Sequence, residues 1–246
     1  MHTGRPPEFP DSTCLTFQHK KMLDACFSAK PAETSELNFN EIYIWRKDRN
    51  TRISRINGSV CCIKSCGRER LVYPLLGEKA RADDYLRILE WCSGQGLKAS
   101  VFAMTELLLQ ETGIAREPGL TVGEDHNNYD YLYRAQDLAE LKGRKYDGKR
   151  NFVKQFEKNA DFAYAPLTAA HLPACLELQE KWCGGRSCSI HAPLAQENSA
   201  VVELLNAFGH LDVFGGVILI DGKVEAFTVA GHLNAETAVV MIEKAN

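Results

Sequence analysis

Two dipeptides constrain the fold of this chain more than any other feature. Asn57-Gly58 interrupts SRINGSVCCIK, and Asp221-Gly222 separates GGVILI from VEAFTVAGHL. Each pair lies between runs rich in apolar and β-branched residues, and Asn-Gly or Asp-Gly accepts the positive φ angles of a two-residue hairpin turn. One antiparallel hairpin is therefore expected in each half of the chain. A third strand fits 71–74, and the second hairpin continues through TAVVMIE into a meander whose last strand ends at Lys244-Ala245-Asn246. That edge needs a cover.

Helical spacing fills the intervals. Asp24 to Lys30 ends an early helical stretch, and SELNFNEIYIWR (35–46) starts a short helix at Ser35 or Asn38, with Ile42, Tyr43, Ile44 and Trp45 directed into a core. Tyr85, Leu86, Leu89 and Trp91 recur at helical spacing until Gly94 and Gly96 stop them, and a helix over 105–112 ends at Gly113. Further helices are expected over 168–182 and 198–208, after a strand that opens at FAYAP. The fold class is α/β (α+β), with mixed, mostly antiparallel sheets flanked by helices. A domain boundary is expected near Asp161, giving domains 14–160 and 161–246. Residues 1–13, with three prolines, two acids and no apolar signal core, read as a disordered tail.

Composition excludes several classes. Of 246 residues, 45% are apolar and 25% charged, and the net charge is −3, which rules out a disordered chain, collagen or a wholly basic nucleic-acid binder. Apolar runs such as 101–104 and 217–220 are far shorter than the roughly 20 residues that cross a bilayer, and because residues 1–13 do not read as a secretory signal the expected compartment is the cytoplasm. Nine cysteines at irregular spacing fit reduced thiols, with Cys26, Cys92 and Cys175 packing as small hydrophobes. Cys183, Cys188 and His191 form a C-x4-C-x2-H half-site without a fourth ligand nearby, so free loop thiols are expected there and no metal.

Charge is unevenly spread. Between Lys142 and Lys158 seven basic residues face two acids, a local charge of +5 that leaves −8 for the rest of the chain. On a helix Arg150, Lys154 and Lys158 form one stripe, beside Lys145 and Lys149, and such a surface is either a solvated face or a grip for phosphates. Just upstream, YDYLY (129–133) reads as a strand whose tyrosines share one face, most often a core face. Asp130 among them is either an ion-pair partner for Arg144 or Arg150 or a general base. No G-x-S-x-G, P-loop or Rossmann motif is present.

Four segments in order, SELNFNEIYIWR, YDYLYRAQDLAELKGRKYDGKRNFVKQFEK, the Gly215-Gly216 hairpin with GKVEAFTVAGHL, and the terminal IEKA, resemble the soluble relatives of the C-terminal domain of phosphatidylglycerol lysyltransferases. The resemblance implies tandem GNAT-like acyltransferase domains, the second incomplete after IEKA. It implies an acyltransferase or aminoacyltransferase, with aminoacyl-tRNA or acyl-CoA as donor and an amine or hydroxyl as acceptor. It assigns Asp130, Tyr131 and Glu243 as catalytic, and Arg144, Lys145, Lys149, Arg150, Asn151 and Lys244 as substrate or phosphate contacts. Expected partners are tRNA or a phosphate-bearing small molecule, with peripheral lipid contact open; no pyrophosphate loop of the Q/R-x-x-G-x-G/A type accompanies the motifs. A rival reading makes the chain a non-catalytic binding module for RNA or an anionic phosphate-bearing ligand, and a third makes KGRKYDGKRN a structural bridge.

Overall fold

The computed structural model describes residues 4–77 and 80–246. The first sheet has the order β1 (Thr13–Cys14), β2 (Arg52–Ile56), β3 (Ser59–Cys66), β4 (Glu69–Val72), β5 (Lys98–Val101). Its pairs are antiparallel except β4 with β5, which run parallel because α3 (Ala82–Gly94) carries the chain across between them. Asn57 and Gly58 both take positive φ, 49° and 89°, and so close the β2–β3 hairpin. Asp221 and Gly222, at 50° and 75°, close its counterpart in the second sheet. That sheet is an antiparallel meander of β6 (Phe162–Pro166), β7 (Val213–Ile220), β8 (Lys223–His232) and β9 (Ala238–Ala245), with β9 at its edge.

The helices supply the covering layers. α1 (Lys20–Ala29) and α2 (Phe39–Ile44) precede the first hairpin, α7 (Leu172–Gly185) and α8 (Ala192–Ala207) precede the second, and α4 (Glu106–Thr112), α5 (Ala135–Glu140) and α6 (Asp147–Asn159) lie between the sheets in sequence. One continuous core includes Leu23, Ile42, Ile44, Ile53 and Tyr73 from the first half and Cys175, Val201, Leu204, Val217 and Phe227 from the second. A separate cluster, with Ile56, Val72, Tyr85, Ile88 and Cys92, sits under α3, so the first sheet is buried on both faces. This explains the nearly unbroken burial of β3, whose first four residues are all buried.

Polar contacts also join the halves. Lys20 Nζ donates to Asp212 Oδ2 at 2.5 Å, Asn40 Nδ2 to the Asp212 carbonyl at 3.1 Å, and Arg46 to Glu203 Oε1 at 2.7 Å. Gly216 lies under the ring of Tyr164, where a Cβ would come within 2.5 Å of a ring carbon, so the exposed aromatic side chain covers the glycine on the facing strand.

Three expectations are corrected. The proline-rich start does not trail free over the described residues: the amide N–H of Phe9 donates to Arg55 O at 2.7 Å, and its ring packs on Trp91 with centroids 5.4 Å apart. Residues 1–3 of that expected tail lie outside the described residues. YDYLY is not a strand, because no neighbouring strand offers it a ladder, and its tyrosines are exposed instead of core. Cys183 and Cys188 are not free thiols: the chain reverses after α7 through Ser187 at φ 53°, which brings them into a disulfide. The remaining free cysteines include buried Cys92 and Cys175.

Candidate functional site

The first turn of α2 organises a polar cluster. Asn38 caps the helix: its side-chain oxygen accepts from the Glu41 amide at 2.9 Å while its amide nitrogen donates to Ser35 O at 2.8 Å. This fixes the preceding turn so that Ser35 presents its backbone N–H and its hydroxyl outward. Both donate to Asp130, at 2.8 Å to Oδ2 and 2.6 Å to Oδ1. The carboxylate thereby ties down a long excursion, since no residue between 115 and 160 is buried.

Behind that contact stand two more carboxylates and a lysine. Glu41, on the third residue of α2, accepts from Trp45 Nε1 at 2.9 Å, one helical turn on. Glu36 pairs with Lys64 at 3.2 Å. Lys64 comes from β3 and is only 7% exposed, its ammonium 3.8 Å from the Phe102 ring centroid and 5.3 Å from that of Tyr73. Burial pushes the Glu41 carboxyl up to about 7, and Glu36 and Asp130 push the same way, against the Trp45 hydrogen bond and the charge of Lys64. Burial likewise lowers the Lys64 ammonium despite Glu36, and raises the Tyr73 phenol well above its usual range. Glu41 as a residue is intermediate in exposure, and burial is the largest cause of the rise at its carboxyl.

The other expected residues fall elsewhere. Tyr131 is 88% exposed. Along the basic segment, Lys145 pairs with Asp137 at 3.1 Å, and Arg150 pairs with Asp147 while donating to the carbonyls of Leu141 and Gly143. Arg144, Lys149 and Asn151 are exposed and have no ion-pair or side-chain hydrogen-bond partner among the described residues. α6 buries none of its residues, and Phe152 is 71% exposed. At the end of β9, Glu243 points to solvent while Lys244 is buried against Glu197 at 2.5 Å, its ammonium 3.6 Å from the Trp182 ring centroid. Its charge is thus already compensated inside the protein.

Asp130 is accordingly the one expected residue that meets the α2 cluster. Sequence reasoning missed Glu36, Glu41 and Lys64 as site residues. The available signal was a single lysine inside the largely apolar strand SVCCIKSC, a position where a charge needs a partner. Among the described residues no group of three or more His, Cys, Asp or Glu side chains has a metal-binding arrangement, and no helix is long and apolar enough to cross a membrane.

A family model described as phosphatidylglycerol lysyltransferase, C-terminal, matches residues 28–246. A conserved protein of unknown function from Bacteroides thetaiotaomicron superposes with a TM-score of 0.84 at 24% identity, over 95% of this chain and 79% of that one. The C-terminal domain assigned to a lysylphosphatidylglycerol synthetase from Agrobacterium fabrum gives 0.56 at 12% identity, over 93% and 68%. The structure of L-PGS from Bacillus licheniformis gives 0.55 at 12%, over 97% and 67%. The fold is therefore the GNAT-like fold of these domains. No curated protein matches the chain.

Proposed function

Because the chain belongs to the family of phosphatidylglycerol lysyltransferase C-terminal domains, we propose that it transfers an acyl or aminoacyl group from an activated donor to an amine or hydroxyl acceptor, with Glu41 as the proton acceptor. The observation that carries this reading is the Glu41 carboxyl on α2, held by Trp45 Nε1 at 2.9 Å and raised to about 7 chiefly by burial, with the charges of Glu36 and Asp130 adding to it. A base poised near the working pH is what attack on an ester or thioester requires.

The step balances simply. The acceptor nitrogen or oxygen attacks the carbonyl carbon of the donor and gives its proton to Glu41; the tetrahedral adduct then expels the donor's alcohol or thiol, which takes that proton back. Asp130, with both oxygens engaged by Ser35, acts by holding the excursion and by its charge. Arg144, Lys149 and Asn151 offer unpaired polar groups for the phosphates of aminoacyl-tRNA or coenzyme A. Lys145 and Arg150 reach such a ligand only by leaving Asp137 and Asp147.

The test is transfer of label from aminoacyl-tRNA, and separately from acetyl-coenzyme A, to amine, hydroxyl and lipid acceptors. Glu41→Gln is expected to lower the rate at least about 100-fold, the usual contribution of a general base. An undiminished rate in that variant refutes the assignment of Glu41. The binding-module reading is favoured by the basic α6, none of whose residues is buried; it predicts salt-sensitive binding of tRNA, weakened in a Lys149→Ala/Arg150→Ala variant, with no turnover of any donor.

A further inference from the structure

β3 presents its two faces to different surroundings. Side chains alternate along a strand, so Lys64 turns to Glu36 while Ile63 and Ser65 turn to the face of the first sheet that α3 covers. On that second face, beside the last turn of α3, lies a pocket of about 60 Å³, separated from the α2 cluster by the sheet itself. Strand register builds its floor: Arg52 of β2 stands opposite Ile63, and Arg70 of β4 stands opposite Ser65. Phe9 and Trp91 supply an aromatic wall, packed edge to face with centroids 5.4 Å apart.

Two arginines and no acid line this space. Arg52 donates through Nε to Ser12 Oγ at 2.8 Å, through Nη2 to Ser12 O at 2.5 Å and through Nη1 to Cys14 Sγ at 3.6 Å, which fixes its guanidinium. Arg70 donates through Nη1 to the carbonyls of Gly67 and Glu69, at 3.1 and 3.0 Å. Both residues are partly buried, and neither has an ion-pair partner among the described residues. Each keeps N–H donors beyond those bonds, since a guanidinium carries five. Like charges in one partly desolvated pocket repel, and an anion placed between them offsets that cost.

We infer that this pocket binds a small aromatic oxyanion, with its phosphate or carboxylate between Arg52 and Arg70 and its ring against Trp91. The guanidinium fork matches the geometry of either head group. Trp91 is 38% exposed, which leaves part of its indole free to pack on a ring. The hydroxyls of Ser54 and Ser65 add neutral donors on the floor. Because the sheet lies between this pocket and the α2 cluster, its occupancy and the transferase reading fail independently.

Calorimetric titration of the full chain with phenyl phosphate, benzoate and inorganic phosphate reads the binding. One saturable site for phenyl phosphate or benzoate is expected, and the two arms show which head group the arginines prefer. Arg70→Gln is expected to weaken the better of the two at least about 10-fold, the scale of one hydrogen bond to a charged group. Lys21→Gln, an exposed charge on α1 outside the pocket, leaves the affinity unchanged. No saturable binding of either aromatic anion, undiminished binding in Arg70→Gln, or an equal loss in Lys21→Gln overturns the inference. Inorganic phosphate bound as tightly as phenyl phosphate overturns the assignment of a ring to the ligand. Should Arg70→Gln not fold, the Trp91 indole N–H resonance of the unmodified protein serves, assigned by its loss in Trp91→Phe. It is expected to move on addition of phenyl phosphate or benzoate, and a resonance that stays in place with both also overturns the inference.

Discussion

Replacing Glu203 with alanine tests how the two halves are held together and what that does to the site. Glu203 on α8 accepts from Arg46 at 2.7 Å and from Lys47 at 2.5 Å, both just past the end of α2. Arg46 is 13% exposed at its side chain and lies 3.6 Å from the Tyr43 ring centroid; Lys47 is 62% exposed. The Lys47 contact is worth only about 0.5 kcal/mol, as for exposed pairs generally. Removing the carboxylate leaves Arg46 largely buried without its anion, which costs about 2 kcal/mol, less than the 3–5 typical of full burial because both groups keep some water. The total, about 2–3 kcal/mol, corresponds to a fall in Tm of roughly 5–10 °C for a chain of this size. Burial pushes the Glu203 carboxyl up, but the hydrogen bonds from Lys47 and Arg46 outweigh it and leave the group below its ordinary value. The stabilisation is therefore fully present above the unfolded carboxylate value of about 4.3 and is lost as pH falls through the lower folded value. Urea titrations of wild type and Glu203→Gln are expected to differ by a constant amount between about pH 5 and 8 and to converge below about pH 4. A loss under about 0.5 kcal/mol in Glu203→Ala, or a gap that persists at low pH, refutes this account of the clamp.

Three further outcomes are expected. Gly215→Ala places a Cβ on the Thr228 carbonyl oxygen of the facing strand, and should cost more than about 2 kcal/mol in urea unfolding or prevent folding. Asp130→Asn removes a negative charge that raises Glu41 and weakens the two bonds from Ser35; the Glu41 midpoint should fall, and amide exchange over 117–134 should quicken while Tm changes by less than about 2 °C. Leu204→Ala, fully buried in the shared core, should lose about 3–4 kcal/mol by calorimetry, with the pH profile of transfer unmoved.

Much of the framework was legible from local chemistry. Both hairpin turns lie where Asn-Gly and Asp-Gly stand, α3 and α4 end at or beside their glycines, and α2 starts at Asn38, one of the two residues able to cap it. These signals are local because a turn's φ angles or a cap's hydrogen bond involve residues only a few positions apart. YDYLY misled for the same reason. Alternation of polar and apolar residues describes a half-buried strand only if a neighbouring strand and a core exist to receive it, and here neither does.

What the sequence determined by itself was the alternation of helices with two antiparallel hairpins, the family, and the existence of a basic segment beside Asp130. Which residues make the candidate site was decided only in three dimensions. Ser35 and Asp130 are 95 positions apart and Lys64 and Glu36 are 28 apart, yet each pair touches. Lys244 and Lys64 are both lysines at the far end of apolar strands, and composition does not distinguish them. Burial does: it pairs Lys244 with Glu197 under Trp182, and Lys64 with Glu36 against the face of Phe102. A charge acquires its chemistry from the desolvation and the partners that packing imposes, and those depend on contacts that no stretch of sequence contains.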